Sequence, residues 1–403
     1  MMRSSLWFAL IVLTVILTSC SQATPPPTSA PTSTPDPTPE PGPTPRPTPA
    51  LLPAEDPPVG ATREFSTDFS RHSVPYEEIL SGGPTKDGIP SIDDPAYVGV
   101  ETADGWLEPE APVILVRVDG AARAYPIRIL MWHEIVNDTL DGQPVAVTYC
   151  PLCNTAIAFD RELDGQVLDF GTTGRLRYSN LVMYDRQTES WWQQALGEAI
   201  VGEYTGRQLD TVPAAIVAWE DYQAAYPEGD VLSQETGYNR RYGENPYPRY
   251  DTRREPSPLY DGPETPDDLL VMARVIGIDR RGETIAYPYA VLGEVRVVND
   301  TIGDEPIVVM WAPGTASALG AERVATGQDV GAATTYSRVL DGETLMFRFE
   351  DGAIVDEETG SEWNLLGEAV SGPRAGEQLT PAVGNNFLWF AWAAFHPETE
   401  VYQ

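Results

Sequence analysis

An α+β fold, mostly antiparallel strands with a few short helices, is the class this sequence predicts. Three observations carry it. Strand-like runs are punctuated by two-residue Asp-Gly turn signals at Asp119-Gly120, Asp141-Gly142 and Asp164-Gly165. The apolar stretches with helical spacing are short and isolated, so no alternating strand–helix pattern builds up. And the chain resembles itself, which predicts two homologous repeat units packed about a pseudo-two-fold axis.

The elements follow in order. Val113–Val118 reads as a strand and Ala122–Ile127 as its hairpin partner across Asp119-Gly120. Ile129–Val136 is an apolar segment expected to be helical. Asp141-Gly142 then turns into the strand Pro144–Tyr149. A further strand is expected over Ala156–Arg161, with Val167–Phe170 returning across Asp164-Gly165. Ile216–Tyr226 reads as a closing helix stopped by Pro227.

The repeat is visible as identities at a fixed spacing. Ala124-Tyr125-Pro126 recurs as Ala286-Tyr287-Pro288, and Val136-Asn137-Asp138-Thr139 as Val298-Asn299-Asp300-Thr301, both 162 residues on. Later matches, such as Gly197-Glu198-Ala199 with Gly367-Glu368-Ala369, stand 170 apart. The expected organisation is a lipoprotein signal peptide at 1–20, a tether at 21–60, a first unit at 61–240, a connector at 241–264 and a second, degenerate unit at 265–403.

Arg3 precedes an apolar run from Leu6 to Leu17 that ends in Leu17-Thr18-Ser19-Cys20. The run is too short to span a bilayer and suits a signal h-region. Its end resembles a bacterial lipobox, which makes Cys20 the lipidated N-terminus. The protein is therefore expected outside the cytoplasm, anchored to the cell membrane or the outer membrane through that lipid. Residues 21–60 hold 15 of the 38 prolines. Proline fixes φ and lacks an N–H, so this stretch is expected to be an extended spacer with no binding role.

The formal net charge of −34 argues against nucleic-acid binding, because an acidic surface repels phosphate backbones. It leaves a protein or small-molecule partner open. Lys86 is the single lysine in the chain.

Chemistry is sought where the two units differ. At the 162 spacing Cys150 falls on Ala312, Cys153 on Thr315, His133 on Val295 and Tyr149 on Trp311, while Pro151 falls on Pro313. The first unit thus carries two thiols and an imidazole where the second carries none. A Cys-x-x-Cys turn after a strand fits three chemistries: a structural disulfide, a metal half-site or a reactive thiol. A disulfide ring that small adds little stability by loop entropy. Two thiolates with His133 would suit copper(I), or zinc with a fourth ligand. In an oxidising compartment the same pair could work as a dithiol, or Cys150 or Cys153 as a nucleophile with His133 as base. A lone histidine in an apolar segment, such as His133 in Met131–Ile135, is also at home as a hydrogen-bonded core group. His72 and His396 are weaker candidates.

Two further stretches are candidate walls of the same site. The loop Gly82–Pro90 contains Lys86 and Asp87, either as an exposed ion pair or as a flap over the thiols. The run Phe170–Gly174 leads to Ser179, Asn180 and Asp185. It is not a phosphate loop, since no Lys-Ser/Thr pair follows its second glycine.

Lys86–Pro90, Trp132–Asp138, Thr148–Cys153, Met183–Arg186 and Ser233–Tyr242 together resemble the domain-of-unknown-function 3179 family over the globule from about residue 65 onward. The resemblance implies an exported, often anchored protein with this two-part layout. It implies no activity, and whether the chain is an enzyme is left open by the residues alone.

Overall fold

The computed structural model describes residues 49–403, so the signal segment, Cys20 and most of the tether lie outside the described residues. Among the described residues strands dominate, paired almost throughout in antiparallel fashion, and the longest helices have seven residues.

The strand Gln143–Cys150 is central to one sheet. It pairs with Ile135–Leu140 on one side and Thr155–Asp160 on the other, with Thr211–Val212 outermost. Its residues from Val145 onward are all buried, as expected for a strand covered on both faces. A second sheet places Phe170–Arg177 between Ile79–Ser81 and Asn180–Asp185, followed by Trp191–Gln193 and Glu198–Val201. A third runs Ala214–Ala218, Pro112–Val118, Ala121–Pro126, Asp230–Leu232 and Tyr97–Gly99. Only Asp230–Leu232 on Ala121–Pro126 is parallel within it.

In the later part of the chain, Asn385–Leu388, Arg274–Arg280, Glu283–Pro288 and Glu400–Val401 form a sheet whose last pair is also parallel. Val297–Ile302, Glu305–Ala312 and Ala332–Ser337 form another. Particular bonds recur as well. Asn137 Nδ2 donates to the Phe170 carbonyl at 2.8 Å, and Asn299 Nδ2 to the Phe347 carbonyl at 2.7 Å. Trp192 Nε1 donates to Asp185 at 2.9 Å, as Trp363 Nε1 does to Asp356 at 2.9 Å.

Three local expectations are corrected. The segment expected as a helix over 129–136 is helical only from Ile127 to Leu130, and the chain then turns into the strand Ile135–Leu140. Glu134 has φ +60, a left-handed conformation that no helix can continue through, and β-branched Ile135 and Val136 suit the pleat that follows. Ile216 and Val217, expected in a helix, pair with Ile114 and Val113 in a strand, and the helix begins only at Trp219. The return after Asp164-Gly165 is just Gln166–Val167, while Phe170 opens a separate strand.

The largest apolar cluster draws on the whole described chain. Tyr125, Val147, Tyr149, Phe159 and Trp192 pack in it with Phe387, Leu388, Trp389 and Phe390. Cys150 and Cys153 belong to this cluster, so the thiols sit inside the core that the earlier and later sheets share.

Candidate thiol site

Cys150 ends the central strand, and Cys153 closes the turn that follows. The Cys153 N–H donates to the Cys150 carbonyl at 3.3 Å, and the antiparallel partner strand begins at Thr155. The turn is fastened from outside. The Tyr250 hydroxyl donates to the Leu152 carbonyl at 2.9 Å, and the Leu388 N–H donates to the Cys153 carbonyl at 2.8 Å. Both cysteines are free thiols, Cys150 2% and Cys153 0% exposed.

The Ser179 carbonyl faces both sulfurs, 3.7 Å from Cys150 Sγ and 3.4 Å from Cys153 Sγ. It is held there by a two-residue hairpin turn in which Arg177 pairs with Asn180. Tyr178 and Ser179, the two turn residues, have φ +53 and +62. Both central positions of such a turn require positive φ, which asparagine and glycine adopt most readily. Tyr and Ser in this conformation cost about 1–2 kcal/mol each, so the surrounding contacts must hold them. One such set is a buried amide network beside the turn. Asn180 Nδ2 donates to Gln194 Oε1 at 2.8 Å, and its Oδ1 accepts from Gln193 at 2.6 Å and from the Ala195 N–H at 2.9 Å.

The two thiols are electrostatically unequal. Burial works against a charged Cys150. The thiol hydrogen bond from Cys153 and the N–H groups of Leu181, Cys153 and Leu152 outweigh it and hold Cys150 below the ordinary thiol value. Cys153 is pushed well above that value, first by burial, then by the hydrogen bond it gives Cys150 and by the charge on Cys150. Cys150 is thus the sulfur that ionises, and Cys153 the one that keeps its proton.

Cys150 also lines a cavity of about 230 Å³. Glu134 lies on the same wall. Its backbone is fixed by the Tyr149 N–H, which donates to the Glu134 carbonyl at 2.8 Å. The residue is 9% exposed, and among the described residues no protein group donates a hydrogen bond to its carboxyl. Burial, then the charge of Cys150, raises the Glu134 pKa to about 8. Sequence reasoning passed over Glu134, although a signal existed: at the 162 spacing it falls on Arg296. Arg296 has φ +70 and accepts the same backbone bond, from the Trp311 N–H at 2.8 Å. Its guanidinium stacks over the Trp311 ring at 4.5 Å.

The cavity's other walls come from two loops. Gly82, Pro84 and Ile89 form one side, so the loop expected as a possible flap does reach the site. Gly174 lets it approach. A Cβ on Gly174 would stand 2.1 Å from the Pro84 carbonyl oxygen, and its φ is +69. Opposite, Tyr247, Tyr250, Arg253 and Leu259 line the cavity from within the stretch expected to be a connector.

The remaining candidates lie elsewhere. His133 is fully buried, with Nδ1 on the Pro90 carbonyl at 2.7 Å and Nε2 on the Tyr242 hydroxyl at 2.6 Å. Both ring nitrogens are engaged, and His133 does not line the cavity; it ties the two loops together instead. Burial foremost lowers its pKa. Lys86 turns away to pair with Glu189, over the rings of Phe65 and Tyr184 at 4.7 Å. Asp87 accepts from the Tyr184 hydroxyl at 2.6 Å and Arg186 at 3.2 Å. The Tyr149 hydroxyl donates to Asn154 at 3.1 Å within the core. Asp185 is spent on Trp192 and on Thr188, whose N–H donates at 2.6 Å. His72 bonds the Val74 carbonyl at 3.0 Å and the Pro53 carbonyl at 3.1 Å, and His396 stacks on Trp392. Among the described residues no three His, Cys, Asp or Glu side chains converge as a metal site.

In comparison with known proteins, the family described as "Protein of unknown function (DUF3179)" matches residues 86–399, and the chain belongs to that family. No curated protein and no solved structure matches it.

Proposed function

We propose that this member of the DUF3179 family is a thiol–disulfide oxidoreductase working through Cys150 and Cys153. One observation carries the reading. A polarised thiol pair, its ionisable residue on a cavity wall, stands beside a largely buried carboxyl to which no protein group donates among the described residues. A metal half-site would want a third donor aimed at the sulfurs, and His133 is committed to Pro90 and Tyr242. A purely structural pair would gain nothing from a cavity or from an acid held largely out of water beside it, since desolvating a carboxyl costs stability.

In the reaction, the Cys150 thiolate attacks a substrate disulfide and forms a mixed disulfide. Cys153 then loses its proton and attacks Cys150 Sγ. The substrate gains two electrons and leaves as two thiols, and the cysteine pair is oxidised to a disulfide. Glu134 is the nearby group able to hold and release the protons at neutral pH.

The same proposal places the protein outside the cytoplasm, anchored through Cys20, with residues 21–60 as spacer. We also read the described chain as two homologous units, the second having lost the chemistry. The recurring Asn–Phe and Trp–Asp bonds and the matching parallel strand pairs support this.

The test is a trapping experiment. Cys153→Ser protein, reduced and mixed with a small disulfide, is expected to accumulate a stable mixed disulfide on Cys150, read by mass spectrometry of peptides. An unmodified Cys150, or an adduct that wild type carries equally and never resolves, overturns the proposal.

A further inference from the structure

We propose that the disulfide reduced at Cys150 belongs to a small, carboxylate-bearing organic molecule taken whole into the cavity, and not to a folded protein. This rests on the thiol-exchange reading and goes on to name its substrate class.

Access comes first. Cys150 is 2% exposed and lines the cavity together with Glu134. The loops above it are pinned and do not lie loose. Gly82 N–H donates to the Gly174 carbonyl at 2.8 Å, Tyr250 bonds the Leu152 carbonyl at 2.9 Å, and His133 joins Pro90 to Tyr242. A protein disulfide brings two backbones with it, their Cα atoms roughly 4.4–6.8 Å apart. A space of about 230 Å³ does not admit two chains. It lies just below the usual range of small-molecule pockets, which suits a compact organic molecule.

The lining gives the chemistry. Leu152, Leu181 and Leu259 offer an apolar bed for a carbon skeleton. Arg253, exposed at the rim, has no acidic partner among the described residues, and its guanidinium lies 5.8 Å from the Tyr250 ring. In a chain of net charge −34 the general field repels anions, so an unpaired guanidinium at the mouth is a local exception that favours them. Arg175, on the wall, is engaged by the Val59 carbonyl at 3.1 Å and by Glu64, which leaves Arg253 as the free cation.

The step balances. Cys150 thiolate forms a bond to the near sulfur of R–S–S–R′, the S–S bond breaks, and R′S⁻ takes the proton held by Glu134. Cys153 gives its proton to Glu134 and attacks Cys150 Sγ, and departing RS⁻ takes that proton in turn. The products are RSH, R′SH, the Cys150–Cys153 disulfide and an ionised Glu134.

The test uses the full chain, reduced, with four probes: 3,3′-dithiodipropionate (a dianion), 2-hydroxyethyl disulfide (neutral), cystamine (a dication) and insulin. Dithiodipropionate is expected to react about tenfold or more faster than cystamine, with insulin left intact. Arg253→Gln is expected to slow dithiodipropionate about tenfold, and Arg253→Lys to restore most of the rate. Insulin reduced at a comparable rate, or cystamine as fast as dithiodipropionate, overturns the inference while leaving thiol exchange standing. If no probe oxidises the pair, thiol exchange itself falls and this inference with it.

Discussion

The Ser179 carbonyl oxygen stands 3.4 Å from Cys153 Sγ and 3.7 Å from Cys150 Sγ, so one turn fixes the position of a backbone dipole against both sulfurs. The contact depends on a turn whose two central residues are both left-handed. Replacing Ser179 with valine, which resists positive φ far more, is expected to destabilise the fold by roughly 1–2 kcal/mol in urea titrations. It is also expected to lower the alkylation rate of Cys150. Unchanged reactivity in a destabilised variant would separate the turn from the chemistry.

Cys153 is expected to govern Cys150 through the hydrogen bond it gives. In Cys153→Ala the donor is removed, so the midpoint of Cys150 alkylation against pH moves upward. In Cys150→Ser the remaining thiol is buried and held protonated. Its native-state alkylation at pH 7 is expected to be about a hundredfold slower than that of Cys150 in wild type. Equal rates for the two single-cysteine proteins would contradict the polarity of the pair.

Glu134 links stability to pH. Its pKa is raised from 4.5 to about 8 in the folded protein, so the folded state holds the proton that the unfolded chain releases. The associated stabilisation is full below pH 4.5 and is lost as pH rises towards 8. Glu134→Gln keeps the shape without the charge. It is expected to flatten the stability profile over that window and to be more stable than wild type at pH 9 by on the order of 1–3 kcal/mol. It should also remove an inflection near pH 8 from the rate of thiol exchange. Parallel profiles for the two proteins would mean that the carboxyl is not titrating there.

Asp185 and Asp356 make the same bonds to Trp192 and Trp363. Alanine at either position is expected to cost roughly 1–3 kcal/mol, since each leaves a buried indole N–H unsatisfied. Neither should change the thiol rate by more than about twofold at temperatures where the protein is folded. A selective loss of reactivity in Asp185→Ala would return that residue to the site.

Local signals were legible. Asp119-Gly120, Asp141-Gly142 and Asp164-Gly165 all form the turns their residue types suit, with positive φ at both positions. The thiol turn stood out because only one of two similar stretches carries it. Ile129–Val136 misled, because a short apolar run fits a buried strand as well as a helix, and the break at Glu134 is a backbone conformation. Placement in space was not legible. His133 was noticed for its residue type, yet its ring direction is set by Pro90 and Tyr242, 43 and 109 residues away. Tyr247 to Leu259 looked like a connector because a wall built by tertiary packing leaves no periodic trace. Glu134 could have been found by the comparison that found the thiols, had charge reversal against Arg296 been weighed with the loss of sulfur.

The most direct measurement is the redox equilibrium of Cys150 and Cys153 in the full chain, set against glutathione and dithiothreitol buffers and read by trapping free thiols, with metal content measured on the same samples. The expected result is a reversible two-electron transition, metal-free, that disappears in Cys150→Ser. A pair that stays oxidised until roughly −300 mV or below, as structural disulfides do, would contradict it. So would a pair that never oxidises and carries one copper or zinc per chain.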